Sequence, residues 1–176
     1  SVYARCFSLN NRPFRVYAAP GGYVPVGALD DSLRQAEDAI SEATGVALVT
    51  GSCGIGKTAF AHELAERLRH RLQPVFVGCT NVESPAALWQ TVLFELGAPY
   101  VALSADEARL RILESARALI PDNEGILLLF DEAHQLSPEL LAQLPALMPP
   151  RHDGRPLVRL LLCGQIELEE RLAAAG

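Results

Sequence analysis

LVTGSCGIGKTAF, Leu48 to Phe60, decides how the rest of the chain is read. Gly51, Gly54 and Gly56 crowd together, Lys57 and Thr58 follow, and an apolar pattern starts at once. Glycine clusters usually interrupt ordered structure, yet both flanks carry strong structural signals. Upstream, VALVT (46–50) is apolar and β-branched and reads as a short buried strand. Downstream, Phe60, Leu64, Leu68 and Leu72 recur at every fourth residue, and Ala61 and Ala65 widen the stripe into the packed face of a helix. The segment Gly51-Ser52-Cys53-Gly54-Ile55-Gly56-Lys57-Thr58 fits G-x-x-x-x-G-K-[ST], a loop that wraps phosphates in backbone N–H groups. Side chains would block that approach, so glycines stand at the closest points. The helix opening near Gly56 turns its N-terminal N–H groups and positive dipole end toward the anion. Lys57 is expected to reach the β- and γ-phosphates, and the Thr58 hydroxyl to take a place on Mg²⁺. A glycine turn that only joins strand to helix is the bland alternative, and the structured flanks argue against it.

A second constellation is ILLLFDEAH (126–134). Asp131 falls at the C-terminal end of an apolar strand, where open α/β sheets bind ligands. A carboxylate there can hold Mg²⁺ through its water shell. Glu132 is placed to orient and deprotonate an attacking water. The alternative is that the acidic pair merely ends a strand and solvates a turn. Gln165, just past the last strand, could hydrogen-bond the γ-phosphate or the water, or be an ordinary loop glutamine. His134 could sense the γ-phosphate or lie on the surface near a helix start. His62, His70 and His152 lack ligand spacing and read as solvated. Arg151, Arg155 and Arg159 read as a solvated basic turn before the last strand, with contact to a neighbouring subunit or nucleic acid as the sharper alternative.

The whole chain has 176 residues, 49% of them apolar, which suits one globular domain with a sizeable core. Its formal net charge of −6 makes it a poor general binder of nucleic acid, though a local basic face would be compatible with it. Apolar runs such as ILLLF (126–130) are too short to span a bilayer. The N-terminal stretch has no signal-peptide core, which points to the cytoplasm. Cys6, Cys53, Cys79 and Cys163 are scattered without a CxxC pair, so neither a disulfide framework nor a zinc site is expected. Cys6, Cys79 and Cys163 read as buried thiols, whereas Cys53 sits inside the glycine loop.

Residues 1–28 read as an extended leader rich in Pro and Gly, and 29–176 as the core. A helix capped by Asp30 or Asp31 is expected to run through SLRQAEDAISEA to Gly45. PVFVGC (74–79) is a second strand. Ser84-Pro85 opens a helix stopped at Gly97, and SADE (104–107) is a capping box opening another, stopped by Pro121. GILLLFDE (125–132) is a third strand. Ser137-Pro138 opens a helix through ELLAQLPALM, which Pro145 should kink or end. LVRLLLCG (157–164) is a fourth strand and IELEERLAAA a last helix. Apolar strands alternating with helices imply a mostly parallel sheet covered on both faces, a three-layer α/β fold with right-handed crossovers.

Taken together, PFRVY…GGYVPV, GVALVTGSCGIGKT, LFDEAHQLSPELL and LLLCGQIELEERLA resemble the AAA+ ATPases of bacterial general secretion pathways (general secretion pathway A protein). That group is similar to the ATPases that assist transposition. The resemblance runs from about Pro13 to Ala173; DEAHQLSPE and GQIEL are its discriminating pieces. The family usually has Pro where Ile166 stands and a second Thr or Ser where Ala59 stands.

The resemblance implies a P-loop AAA+ core that binds ATP or ADP and hydrolyses ATP with Mg²⁺. Gly51, Ser52, Cys53, Gly54, Ile55, Gly56, Lys57, Thr58 and Ala59 would bind nucleotide, with Tyr23 and Val24 against the adenine. Thr58 and Asp131 would hold Mg²⁺, and the catalytic groups would be Glu132 as the base, Lys57 on the phosphates and Gln165 as a sensor-like residue. It also implies self-association that supplies an arginine in trans, and secretion-apparatus partners. The other reading is a nucleotide-dependent switch on a transposition or other DNA-linked complex, with little turnover. A DEAH-type helicase, which the letters of 131–134 bring to mind, would need a second motor domain. Nothing after Gly164 reads as the family's fifth strand or helical lid, so weak turnover is expected of the isolated chain.

Overall fold

The computed structural model describes residues 26–42, 44–120, 122–149 and 151–175. Helix α1 (Val26–Ser41) leads into strand β1 (Val46–Thr50), the glycine loop and helix α2 (Lys57–Leu68). Strand β2 (Gln73–Gly78), helices α3 (Pro85–Glu95) and α4 (Ala105–Ala118) and strand β3 (Ile126–Asp131) follow. After β3 come a 3-10 turn (Ala133–Gln135), helix α5 (Pro138–Leu141) and a second 3-10 turn (Leu144–Leu147). A hairpin of β4 (Arg151–His152) and β5 (Arg155–Pro156) precedes strand β6 (Val158–Gly164) and helix α6 (Glu167–Ala175).

The main sheet has four parallel strands in the order β1-β6-β3-β2. Alternation along each strand divides the core in two. Val46 and Leu48, Leu128 and Phe130, and Leu160 and Leu162 face α3, α4, α5 and α6. Ala47 and Val49, Leu127 and Leu129, and Leu161 and Cys163 face α1 and α2. Both faces are therefore dry, which is why these strands are apolar at nearly every position rather than alternating, with Arg159 of β6 the one charge within them and polar residues otherwise only at their ends. The result is the three-layer α/β fold expected from the sequence.

Local chemistry sets the start of three helices. The Ser84 hydroxyl accepts from Ala87 N–H, with Pro85 at the first helical position. Ser104 and Glu107 form the full capping box. The Ser137 hydroxyl accepts from Leu140 N–H. Three readings change. Helix α1 begins at Val26, ahead of Asp30 and Asp31, and ends at Ser41. Asp30 instead faces α2, where its carboxylate accepts from the Arg67 guanidinium at 2.6 Å. The helix from Pro138 is α-helical only to Leu141. Pro145 has no N–H for the Leu141 carbonyl and its ring would crowd it, so the chain tightens into 3-10 geometry. The arginine-rich turn is the β4–β5 hairpin, and Arg159 lies inside β6, only 1% exposed.

Candidate nucleotide site

Strand order places the site. The glycine loop leaves the end of β1, the acidic pair leaves the end of β3, and β6 lies between them. Gln165, which follows β6, therefore stands between loop and acidic pair.

Gly56 caps α2 with φ 96, a left-handed conformation that L side chains rarely adopt, and a Cβ there would meet nothing within 4 Å. The loop bends on this residue so that the first turn of α2 opens toward its concave side. Lys57 is only 6% exposed, and its Nζ donates to the carbonyls of Gly51 and Ser52, each at 3.0 Å. Those bonds stretch the lysine back across the loop and offset the cost of burying an ammonium group. Ser52, Cys53, Gly54 and Ala59 are exposed and Gly51 and Ile55 half-buried. Cys79 and Cys163 are buried; burial above all pushes the Cys79 thiol up to about 12, with Asp131 and Glu132 adding to it. Cys163 moves the same way for the same leading reason.

The Thr58 hydroxyl donates to Asp131 Oδ2 at 2.6 Å. These residues come from different halves of the chain, and the bond joins the entrance of α2 to the end of β3. Asp131 Oδ1 accepts the N–H of Glu132 at 3.0 Å. Glu132 itself adopts φ 53, ψ 35. A non-glycine residue in the left-handed region is uncommon and costs on the order of 1–3 kcal/mol. The sharp turn buries Ala133 and leaves the Glu132 side chain 39% exposed beside the site.

Whether the donor set suits Mg²⁺ can be judged from its chemistry. A hydroxyl and a carboxylate in contact are two hard oxygen donors. Among the described residues no group of three or more His, Cys, Asp or Glu could cage a metal. Mg²⁺ is commonly held by one or two protein oxygens, with phosphates and water completing its octahedron, so Thr58 and Asp131 fit it.

Gln165 is not an isolated loop residue. Its N–H donates to His134 Nδ1 at 3.3 Å, and its side-chain amide lies 3.2 Å from His134 Nε2. His134 Nε2 in turn lies 3.5 Å from Glu132 Oε2. The histidine is thus largely enclosed among site residues rather than on the surface. Its link to Gln165 could not be read from the sequence, because it depends on β6 lying beside β3. His62 is exposed, as its lack of ligand spacing suggested, with its ring stacked on Phe76 at a centroid distance of 4.2 Å.

Helix α6 closes the site from one side. The Thr50 hydroxyl donates to Glu169 at 3.0 Å, and Arg171 donates to the Leu136 carbonyl at 3.0 Å. Arg171 is therefore engaged within its own chain. Sequence patterning carried no signal for either bond. Tyr23 and Val24, the expected adenine neighbours, lie outside the described residues.

A family described as "AAA domain" matches residues 40–172, a stretch containing every group just placed. No curated protein matches the chain. Solved structures do. The ORC2 protein of Aeropyrum pernix in its ADP form superposes with a TM-score of 0.63 at 20% identity, covering 98% of this chain and 48% of that one. Cdc6p of Pyrobaculum aerophilum gives 0.64 at 19% identity, covering 98% and 46%. The Aeropyrum pernix ORC1 protein in complex with DNA gives 0.52 at 21% identity, covering 88% and 44%. At these identities the likeness is one of fold. The chain spans about half the length of the solved structures it matches.

Proposed function

Because the chain belongs to the AAA domain family, we propose that it is a P-loop ATPase module that binds ATP with Mg²⁺ and hydrolyses it to ADP and phosphate. The observation that carries this reading is the Thr58–Asp131 bond at 2.6 Å beside Lys57. It puts the hydroxyl of the phosphate loop and the carboxylate from β3 on one point, which a structural glycine turn has no need to do.

Each group then has a task. The loop N–H groups and the start of α2 bind the phosphate chain. Lys57 exchanges its carbonyl partners for β- and γ-phosphate oxygens. Thr58 and Asp131 hold Mg²⁺, which when bound neutralises charge on the phosphates. Glu132 accepts a proton from water as that water's oxygen bonds to the γ-phosphorus. The bond from the γ-phosphorus to the bridging oxygen breaks, and ADP carries away its electron pair. Gln165 donates to the γ-phosphate or to the water. Self-association would bring an arginine from a second copy to the developing charge, a contribution of about 1,000- to 100,000-fold in related systems. If so, phosphate release per chain rises with chain concentration.

The finer role has two supports. DEAHQLSPE and GQIEL favour a secretion-type assembly ATPase on the cytoplasmic side of its machine. The ORC and Cdc6 neighbours, one of them solved with DNA, favour a DNA-linked module. The test of the core reading is calorimetry with Mg-ATP and with ADP, followed by phosphate release. Undetectable binding of either nucleotide would overturn it. Salt-sensitive binding to duplex DNA would select the second role over the first.

A further inference from the structure

His134 has both ring nitrogens engaged, and the identities of their partners fix its proton. Nδ1 faces the backbone N–H of Gln165 at 3.3 Å, so Nδ1 must accept. A neutral imidazole carries one ring proton, which therefore sits on Nε2. The groups facing Nε2 must then offer acceptors. Two are in reach: the side-chain amide of Gln165, whose Nε2 lies at 3.2 Å and whose half-turn about its last bond presents the oxygen there instead, and Glu132 Oε2 at 3.5 Å. Amide oxygen and nitrogen have the same shape, so the hydrogen-bond network decides which faces the ring. The backbone around this histidine is tightly set as well. A Cβ on Gly164 would fall 3.2 Å from the His134 backbone nitrogen and 2.8 Å from Leu168 Cδ2. Only glycine lets the turn after β3 lie this close to the end of β6.

We propose that His134 is a positioning residue that couples Gln165 to Glu132 by sharing one imidazole proton between them. When the Gln165 amide turns to the γ-phosphate, the Nε2 proton is left to Glu132. One oxygen of that carboxylate is then held, and the other is aimed to take the proton of water. The coupling rests on the ATPase reading above, and it adds a residue that neither contacts phosphate nor accepts a proton.

The test is single-turnover hydrolysis of radiolabelled ATP by the whole chain in excess, with ATP affinity and melting temperature measured on each variant. His134→Ala is expected to slow hydrolysis by up to about 100-fold, the scale for a misaimed catalytic group, with ATP affinity and melting temperature unchanged. His134→Gln, whose amide reaches the Nε2 position, restores much of the rate, whereas His134→Asn, which reaches only Nδ1, does not. The loss caused by Gln165→Ala is smaller in the His134→Ala background than in the wild type. Imidazole ¹⁵N spectra show the Nε2–H tautomer for His134.

Equal losses from Gln165→Ala in both backgrounds, rescue by Asn alone, or an Nδ1–H tautomer each overturn the coupling. If His134→Ala hydrolyses normally while Glu132→Gln does not, the coupling fails and the ATPase reading stands. If the wild-type chain binds ATP but turns over no faster than Glu132→Gln, the hydrolysis reading fails and takes the coupling with it.

Discussion

At the C-terminal ends of the strands, Lys57, Thr58, Asp131, Glu132 and Gln165 meet around the glycine loop. At the opposite ends, Arg71, Arg155 and Arg159 gather on Glu124. Arg71 donates to Glu124 at 2.8 and 3.0 Å, and Arg159 adds a bond at 3.1 Å. Both clusters are charged and both tie distant parts of the chain together. Their partners differ in kind. Lys57 rests on backbone carbonyls and Thr58 on a carboxylate that Mg²⁺ can use, so these bonds can be exchanged for a ligand's. Arg159 is sealed: it is 1% exposed, and Nε and Nη1 are buried without a hydrogen-bond partner. Burial drags the Arg159 pKa downward, while Glu124 draws it back up. Charge at a strand end thus marks a binding site only where its partners can be traded and its groups reached.

The comparison breaks most sharply at Glu132. Glu132→Gln keeps the shape and removes the proton acceptor, so hydrolysis should fall about 100- to 10,000-fold with ATP binding intact. Turnover at saturating ATP is the measurement, and near-normal turnover would remove Glu132 from the role of base. Lys57→Ala comes next. Charge-assisted hydrogen bonds contribute about 1.5–3 kcal/mol each, so ATP affinity should drop at least tenfold by calorimetry. The fold should persist, because the lysine's partners are loop carbonyls that water can reach.

At the other end the pattern should reverse. Glu124→Gln leaves Arg159 without its counter-charge, which lowers the melting temperature and spares ATP affinity. The loss should stay below the about 3–5 kcal/mol typical of breaking a fully buried pair, since Glu124 keeps partial contact with water. A Glu124 variant that lost ATP binding at an unchanged melting temperature would erase the distinction between the two ends.

The smallest effect concerns acid. Hydrogen bonding from Arg71, with attraction to Arg71 and Arg159, holds the Glu124 carboxyl down from 4.5 to about 2 despite its partial burial. A depressed folded-state pKa stabilises above the unfolded value and ceases to do so as pH falls through the folded one. The ion network's contribution should therefore be full above about pH 4.5 and fade toward about pH 2. Acid unfolding followed by circular dichroism should show a shallower slope across that window in Glu124→Gln than in the wild type.

The parts of the fold set by local pattern were legible in the sequence. VALVT and GILLLFDE announce themselves as buried strands, and PVFVGC as a strand. The hydroxyls of Ser84, Ser104 and Ser137 open helices where capping chemistry says they should. The phosphate loop is legible because its spacing and its flanks agree. What escaped depends on neighbours far along the chain. Arg159 looks like part of a basic turn until Glu124 and Arg71 are seen beside it. His134 reads equally as a γ-phosphate sensor or a surface residue until β6 is laid next to β3. Helix α5 looks longer than it is, because the pattern ELLAQLPALM stays apolar through the position where Pro145 removes a donor. The start of α1 was missed because Asp30 is a plausible cap by type, but its carboxylate is spent on Arg67 of α2.

One consequence of the strand order concerns time rather than place. Among the described residues, β1 has a single sheet neighbour, β6, and Val46 pairs with Leu160. Of the four strands of the main sheet, the one that carries the phosphate loop is made first and its partner last. A chain emerging from the ribosome can assemble β2 and β3 early, but β1 stays unpaired until Val158–Gly164 have been synthesised. Closing so long a loop is entropically slow. The proposed nucleotide pocket is therefore completed only once β6 is in place, and a chain truncated ahead of β6 should contain the whole phosphate-loop motif and bind no ATP.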